Sequence, residues 1–140
     1  MDRDTQIKEI REAIDAGNLT LMYLNNAKNE LSSASNFGIA DLLGFDLIGG
    51  IGKHMKIDKA KQQMEMAKNQ VIAFQRELKD VSAVVNFQVN ISEFLTLADF
   101  FFDGLIADFW VQSKIGEAKN QIDNAIYQVN VIVSDLQRML

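Results

Sequence analysis

Eight apolar residues at alternating spacings of 3 and 4, Ile57, Ala60, Met64, Ala67, Val71, Phe74, Leu78 and Val81, recur 58 positions later as Ile115, Ala118, Ile122, Ala125, Val129, Ile132, Leu136 and Met139. A stripe that repeats every 3.5 residues keeps facing one neighbour only if the helices supercoil left-handedly around each other. The pattern predicts coiled-coil helices over 56–80 and 113–140. A third helix, over 5–35, carries Ile7, Ile10, Ile14, Gly17, Leu21, Leu24, Lys28 and Leu31 on the same grid, and six of these eight are apolar. Gly17 costs about 1 kcal/mol against alanine in a helix interior, so it marks a place for a kink, with Asp15 or Asn18 available to cap a break; the reading keeps one helix. No proline occurs in the 140 residues, so nothing in the chain forces a helix to stop.

The repeat extends beyond the seams. Pairing Ala40 to Leu78 with Ala98 to Leu136 gives 13 identities over 39 positions without a gap, among them Asp41/Asp99, Leu47/Leu105, Ile48/Ile106 and Lys56/Lys114. Two apolar tips are therefore expected, at 37–52 and 94–110. The first holds five glycines and serves as the turn of a helical hairpin. The second packs six aromatic rings into 17 residues. Between the second helix and the second tip, Val85, Phe87, Val89 and Ile91 alternate with Asn86, Gln88, Asn90 and Ser92, which predicts an extended crossover over 82–93. The expected fold is an all-α, antiparallel coiled-coil bundle of three long helices, with an internally duplicated unit of apolar tip plus helix and an extended crossover.

Composition removes several functions. The absence of cysteine excludes disulfides, thiolate metal sites and a cysteine nucleophile. A net charge of −5 with interspersed signs gives no basic face for nucleic acid. The polar start, Met1 to Gln6, lacks the apolar stretch of a secretion signal, and a cytoplasmic location is expected.

Each aromatic side chain of the second tip gains about 1.5 to 3 kcal/mol on burial, so something should cover them. Phe100, Phe101, Phe102, Phe109 and Trp110 are accordingly the candidate interaction surface, covered by the first tip, by a second copy of the chain or by a membrane surface. Lys53, Lys56 and Lys59 directly follow the glycine-rich tip, and an apolar wedge flanked by lysines suits an anionic membrane surface as well as a protein partner. Asp41, Asp46, Asp99, Asp103 and Asp108 could hold a cation or act as acid and base. The competing role is capping, because Asp41 and Asp99 stand just ahead of apolar runs. The lone histidine, His54, has Gln112 as its counterpart in the repeat, which speaks against a duplicated metal site. No catalytic, cofactor-binding or metal-binding residue is assigned. The leading expectation is a structural or protein-interaction coiled coil that self-associates. Peripheral membrane binding through the apolar tip and its lysines comes second, and a metal-dependent enzyme on the tip aspartates third.

Asp41-Leu42-Leu43-Gly44, Lys53-His54-Met55-Lys56-Ile57-Asp58-Lys59-Ala60, Arg76-Glu77-Leu78-Lys79-Asp80-Val81 and Ala98-Asp99-Phe100-Phe101-Phe102-Asp103-Gly104-Leu105-Ile106-Ala107-Asp108 resemble an uncharacterised family of small bacterial helical coiled-coil proteins of unknown function. The resemblance spans about residues 20–140. It implies a bacterial origin and brings no activity, cofactor or site residue. Phe37 and Phe45 stand where the family pattern has tryptophan and glycine, which puts the packing of the first tip in doubt.

Overall fold

The computed structural model describes the backbone of residues 2–42, 46–84 and 112–140, and the side chains of residues 2–33, 59–84 and 119–140. These residues form three helices packed against one another: α1 (Arg3–Leu42), α2 (Asp46–Val84) and α3 (Gln112–Arg138). No strand occurs among the described residues.

The helix ends are closed by polar groups. Asp2 caps α1, its Oδ1 accepting the Thr5 amide at 2.6 Å, which starts the helix ahead of the expected Thr5. At the far end of the chain the last turn tightens, with Met139 N donating to Leu136 O at 3.1 Å and Leu140 N to Gln137 O at 3.2 Å. Arg3 then donates to the Met139 carbonyl at 2.7 Å and to the Leu140 carbonyl at 3.4 Å. The Gln6 side chain donates to the Val84 carbonyl at 3.1 Å, satisfying an orphan acceptor of α2.

Residue numbers that rise along α1 fall along both neighbours. On α2, Val84 meets Gln6 and Gln70 meets Thr20. On α3, Met139 meets Arg3, Val133 lies at Gly17, and Asp123 meets Lys28.

Every side chain of the α2 stripe that is described, from Ala60 to Val81, is buried. On α3, Ile122, Ala125, Val129, Ile132 and Leu136 are buried and Met139 is partly so. On α1 the grid is wider than the sequence implied. Ile10, Ile14, Gly17, Leu24 and Leu31 are buried, and so are Ala13, Thr20 and Ala27, a further column seven residues apart. The reason is geometrical: α1 touches both other helices, and a helix with two neighbours needs a broader buried face than a two-helix seam. Small residues in this added column let the backbones approach. Thr20, the one fully buried polar residue among the described residues, donates to its own helix at Ala16 O (2.7 Å) and lies 3.4 Å from Gln70 O, while Gln70 Nε2 reaches Ala16 O at 3.4 Å. Lys28, on the apolar grid, escapes the core by extending to Asp123, with Nζ and Oδ1 2.6 Å apart.

The single helix kept through Gly17 is what α1 forms, with Asp15 and Asn18 exposed on it and no break to cap. A Cβ at position 17 would come within 2.5 Å of Val133 Cγ2 and 3.1 Å of the Phe74 ring, so the glycine serves close packing. The helices also overrun their expected bounds. Helical backbone reaches Leu42 and resumes at Asp46, taking in most of the 37–52 tip, because glycine weakens a helix without forbidding it as proline would. Residues 82–84 of the expected crossover complete α2; 85–93, and the whole 94–110 tip, lie outside the described residues.

Overpacking costs about 1 to 3 kcal/mol, and a Cβ 2.5 Å from a methyl group falls in the upper part of that range, above the roughly 1 kcal/mol that alanine gains in propensity. Gly17→Ala should therefore lower stability by about 1 to 2 kcal/mol in urea unfolding, and Val133→Ala made with it should be less damaging than the two single losses added together. A stabilised Gly17→Ala variant would show that α2 and α3 do not meet at this residue.

Candidate functional site

Register brings together three carboxyl groups that are far apart in sequence. Glu9 and Glu12 stand one turn apart on α1, and the pairing of Gln6 with Val84 lays this part of α1 along the C-terminal turns of α2, where Glu77 sits. One carboxylate oxygen from each of Glu9, Glu12 and Glu77 lies within 4.8 Å of the others. Glu9 and Glu77 are half-buried and Glu12 is exposed. Lys8 approaches Glu12 at 3.9 Å, one helical turn away on the same surface.

Glu77 carries the strain of this arrangement. Its Oε2 is shielded from water and has no hydrogen-bond partner. Burial raises its carboxyl above the ordinary value of 4.5, and the negative charges of Glu12, Asp80 and Glu9 push in the same direction. Asp2 goes the opposite way: the amide and hydroxyl of Thr5 hold its carboxyl below 3.8. Such a cluster can share a proton or hold a cation. No histidine joins it, and among the described residues no other group of three or more potential ligands comes together.

The residues nominated from sequence are elsewhere. Lys59 is exposed on α2; Lys53, Lys56 and His54 belong to the α2 backbone at its N-terminal end. His54 is 23 positions before Glu77, roughly 35 Å along the helix, too far to join the carboxylates. Asp41 lies in the last turn of α1, which corrects its assignment as an N-terminal cap, whereas Asp46 is the first residue of α2. Phe100, Phe101, Phe102, Phe109 and Trp110, with Asp99, Asp103 and Asp108, lie outside the described residues. Sequence reading missed the glutamate cluster because Glu9 and Glu12 look like ordinary surface positions of a charged helix. Only the register between α1 and α2 puts Glu77 beside them.

Three further shielded oxygens lack partners: Glu30 Oε2, Gln63 Oε1 and Gln121 Oε1. Gln63 and Gln121 are counterparts in the 58-residue repeat. Comparison with known protein families, with curated proteins and with solved structures finds no match for the chain.

The sign of the pH effect follows from the direction of the Glu77 shift. A carboxyl that binds its proton more tightly when folded contributes stability that is complete below the unfolded value of 4.5 and is lost as pH rises through the higher folded value. Glu77→Gln should accordingly raise the melting temperature at pH 7 and flatten its decline as pH rises above 4.5. An unchanged or lowered midpoint at pH 7 would contradict the assigned repulsion.

Proposed function

We propose that the chain is a structural, protein-interacting coiled-coil protein, an antiparallel three-helix stalk that self-associates. The observation that carries this reading is the burial of the described heptad positions on α2 and α3 and most of those on α1, with Thr20 as the only fully buried polar residue among the described residues. Among the described residues no charged side chain is fully buried in the core, which is held by apolar packing. The opposed numbering of α1 against α2 and α3 supports the antiparallel arrangement. Duplication gains support from height: Phe74 and Val133 both reach Gly17, and a 58-residue shift of Phe74 gives position 132, one residue away. The two copies of the repeated helix thus flank α1 in nearly the same register.

Self-association draws on the exposed apolar side chains. Among the described residues, apart from Leu140, the large exposed hydrophobic residues are Leu19 and Met22 on α1, Met66 and Ile72 on α2, and Tyr127 and Val131 on α3, between 37% and 68% accessible. The contacts of Gly17, Thr20 and Lys28 put all six in one zone along the stalk. Apolar and aromatic residues gathered at one height, on a surface otherwise polar and rich in exposed asparagine (Asn18, Asn25, Asn69, Asn130), have the composition of an interface core.

Sedimentation equilibrium of the full chain at micromolar concentrations tests this. A dimer or larger species is expected, and Met22→Glu combined with Tyr127→Glu should shift it to monomer with helicity unchanged. A wild-type chain that sediments as a monomer would overturn the self-association.

A further inference from the structure

Where the first turns of α1 lie over the last turns of α2 and α3, the bundle is closed by a small set of contacts. Arg3 holds the Met139 and Leu140 carbonyls, Gln6 holds the Val84 carbonyl, and Ile10 and Val81 are buried beneath them. Across the same interface Glu9 and Glu12 from α1 face Glu77 from α2. We propose that this end of the bundle is a proton-operated latch, in which a proton on Glu77 holds the first turns of α1 onto α2 and its loss loosens them while the rest of the bundle stays closed.

The physics is that of like charges at short range. With a proton on it, the half-buried Glu77 faces Glu9 and Glu12 as a neutral group. Without it, three negative groups within 4.8 Å repel one another, and the shielded Oε2 of Glu77 has no donor to offset the loss of water. The charged surroundings do little to relieve this. From α2 itself, Asp80 adds to the repulsion; from α1, Lys8 pairs with Glu12 at the exposed rim; on α3, Asp135 is engaged by Arg138 at 2.8 Å. The raised Glu77 carboxyl agrees with the geometry. Further along, Gly17 is locked against Phe74 and Val133 and carries no charge, so opening stops before it. Helix ends with few apolar contacts open at lower free energy than the core, which gives the repulsion something to act on.

Amide hydrogen exchange on the full chain from pH 4.5, the ordinary carboxyl value, up to pH 7.5, corrected for intrinsic exchange, reads this locally. Protection of residues 6–13 should fall several-fold as pH rises, while that of residues 20–27 holds. In Glu77→Gln, protection of residues 6–13 should be high and independent of pH; Glu9→Gln should reduce the pH effect and serves if the first variant folds poorly. The latch is overturned if both segments change in parallel, or if Glu77→Gln keeps the wild-type pH dependence. It is equally overturned if millimolar Ca²⁺ or Mg²⁺ restores protection at pH 7.5 in the wild type but not in Glu77→Gln, since the cluster would then hold a cation rather than a proton.

Discussion

A glycine at the point where three helices meet sets the geometry of this protein. Gly17 has no side chain, and the space is taken by Phe74 from α2 and the Val133 methyl from α3. Because both neighbours crowd the same residue, neither can slide along α1 without leaving a void or a clash. Fixing that height fixes the rest: Thr20 against Gln70, Lys28 against Asp123, Gln6 against Val84, and Glu77 beside Glu9 and Glu12. The acidic cluster is a by-product of this register, since no local rule would bring those three glutamates together.

The core was legible because it obeys a single period. Wherever side chains are described, each α2 position named from the 3.5-residue repeat is buried, and the α3 positions follow, with Met139 partly buried at the fraying end. Legibility failed where burial depends on a second neighbour. Ala13, Thr20 and Ala27 sit beside the seam and are buried only because α1 touches both other helices, a fact that no single-helix pattern contains. Gly17 was misjudged for the same reason. Propensity reads it as a weak point, whereas the two side chains pressed against it require it.

Helix bounds fared less well, because stop signals in this chain are weak. Glycine and serine lower helix propensity by a kcal/mol or less, while proline, the one residue that would impose an end, is absent. Asp2, three residues before Thr5, accepts the Thr5 amide and shows that the true cap lay just ahead of the expected start. The candidate site was nearly hidden. A hairpin turn expected near residues 37–52 puts Glu9 opposite the stretch that includes Glu77, but only to within a turn, and a carboxylate cluster is decided by less than a turn. The aromatic tip, and the glycine-rich tip with its lysines, are the strongest functional suggestions that the sequence makes, and the glutamates are what the described helices add to them.

The central claim is directional: α1 lies against α2 with numbering reversed and with residue 20 level with residue 70. Pulsed electron–electron spin resonance on spin-labelled pairs, in a chain that has no cysteine to remove, measures it directly. Lys8 and Lys79 are exposed at the same end of the bundle, and Gln62 is exposed 17 residues earlier on α2, about 25 Å along the helix. Labels at 8 and 79 should lie close, and labels at 8 and 62 should be farther apart by roughly 20 Å or more. The reverse order of the two distances would contradict the register from which everything else follows.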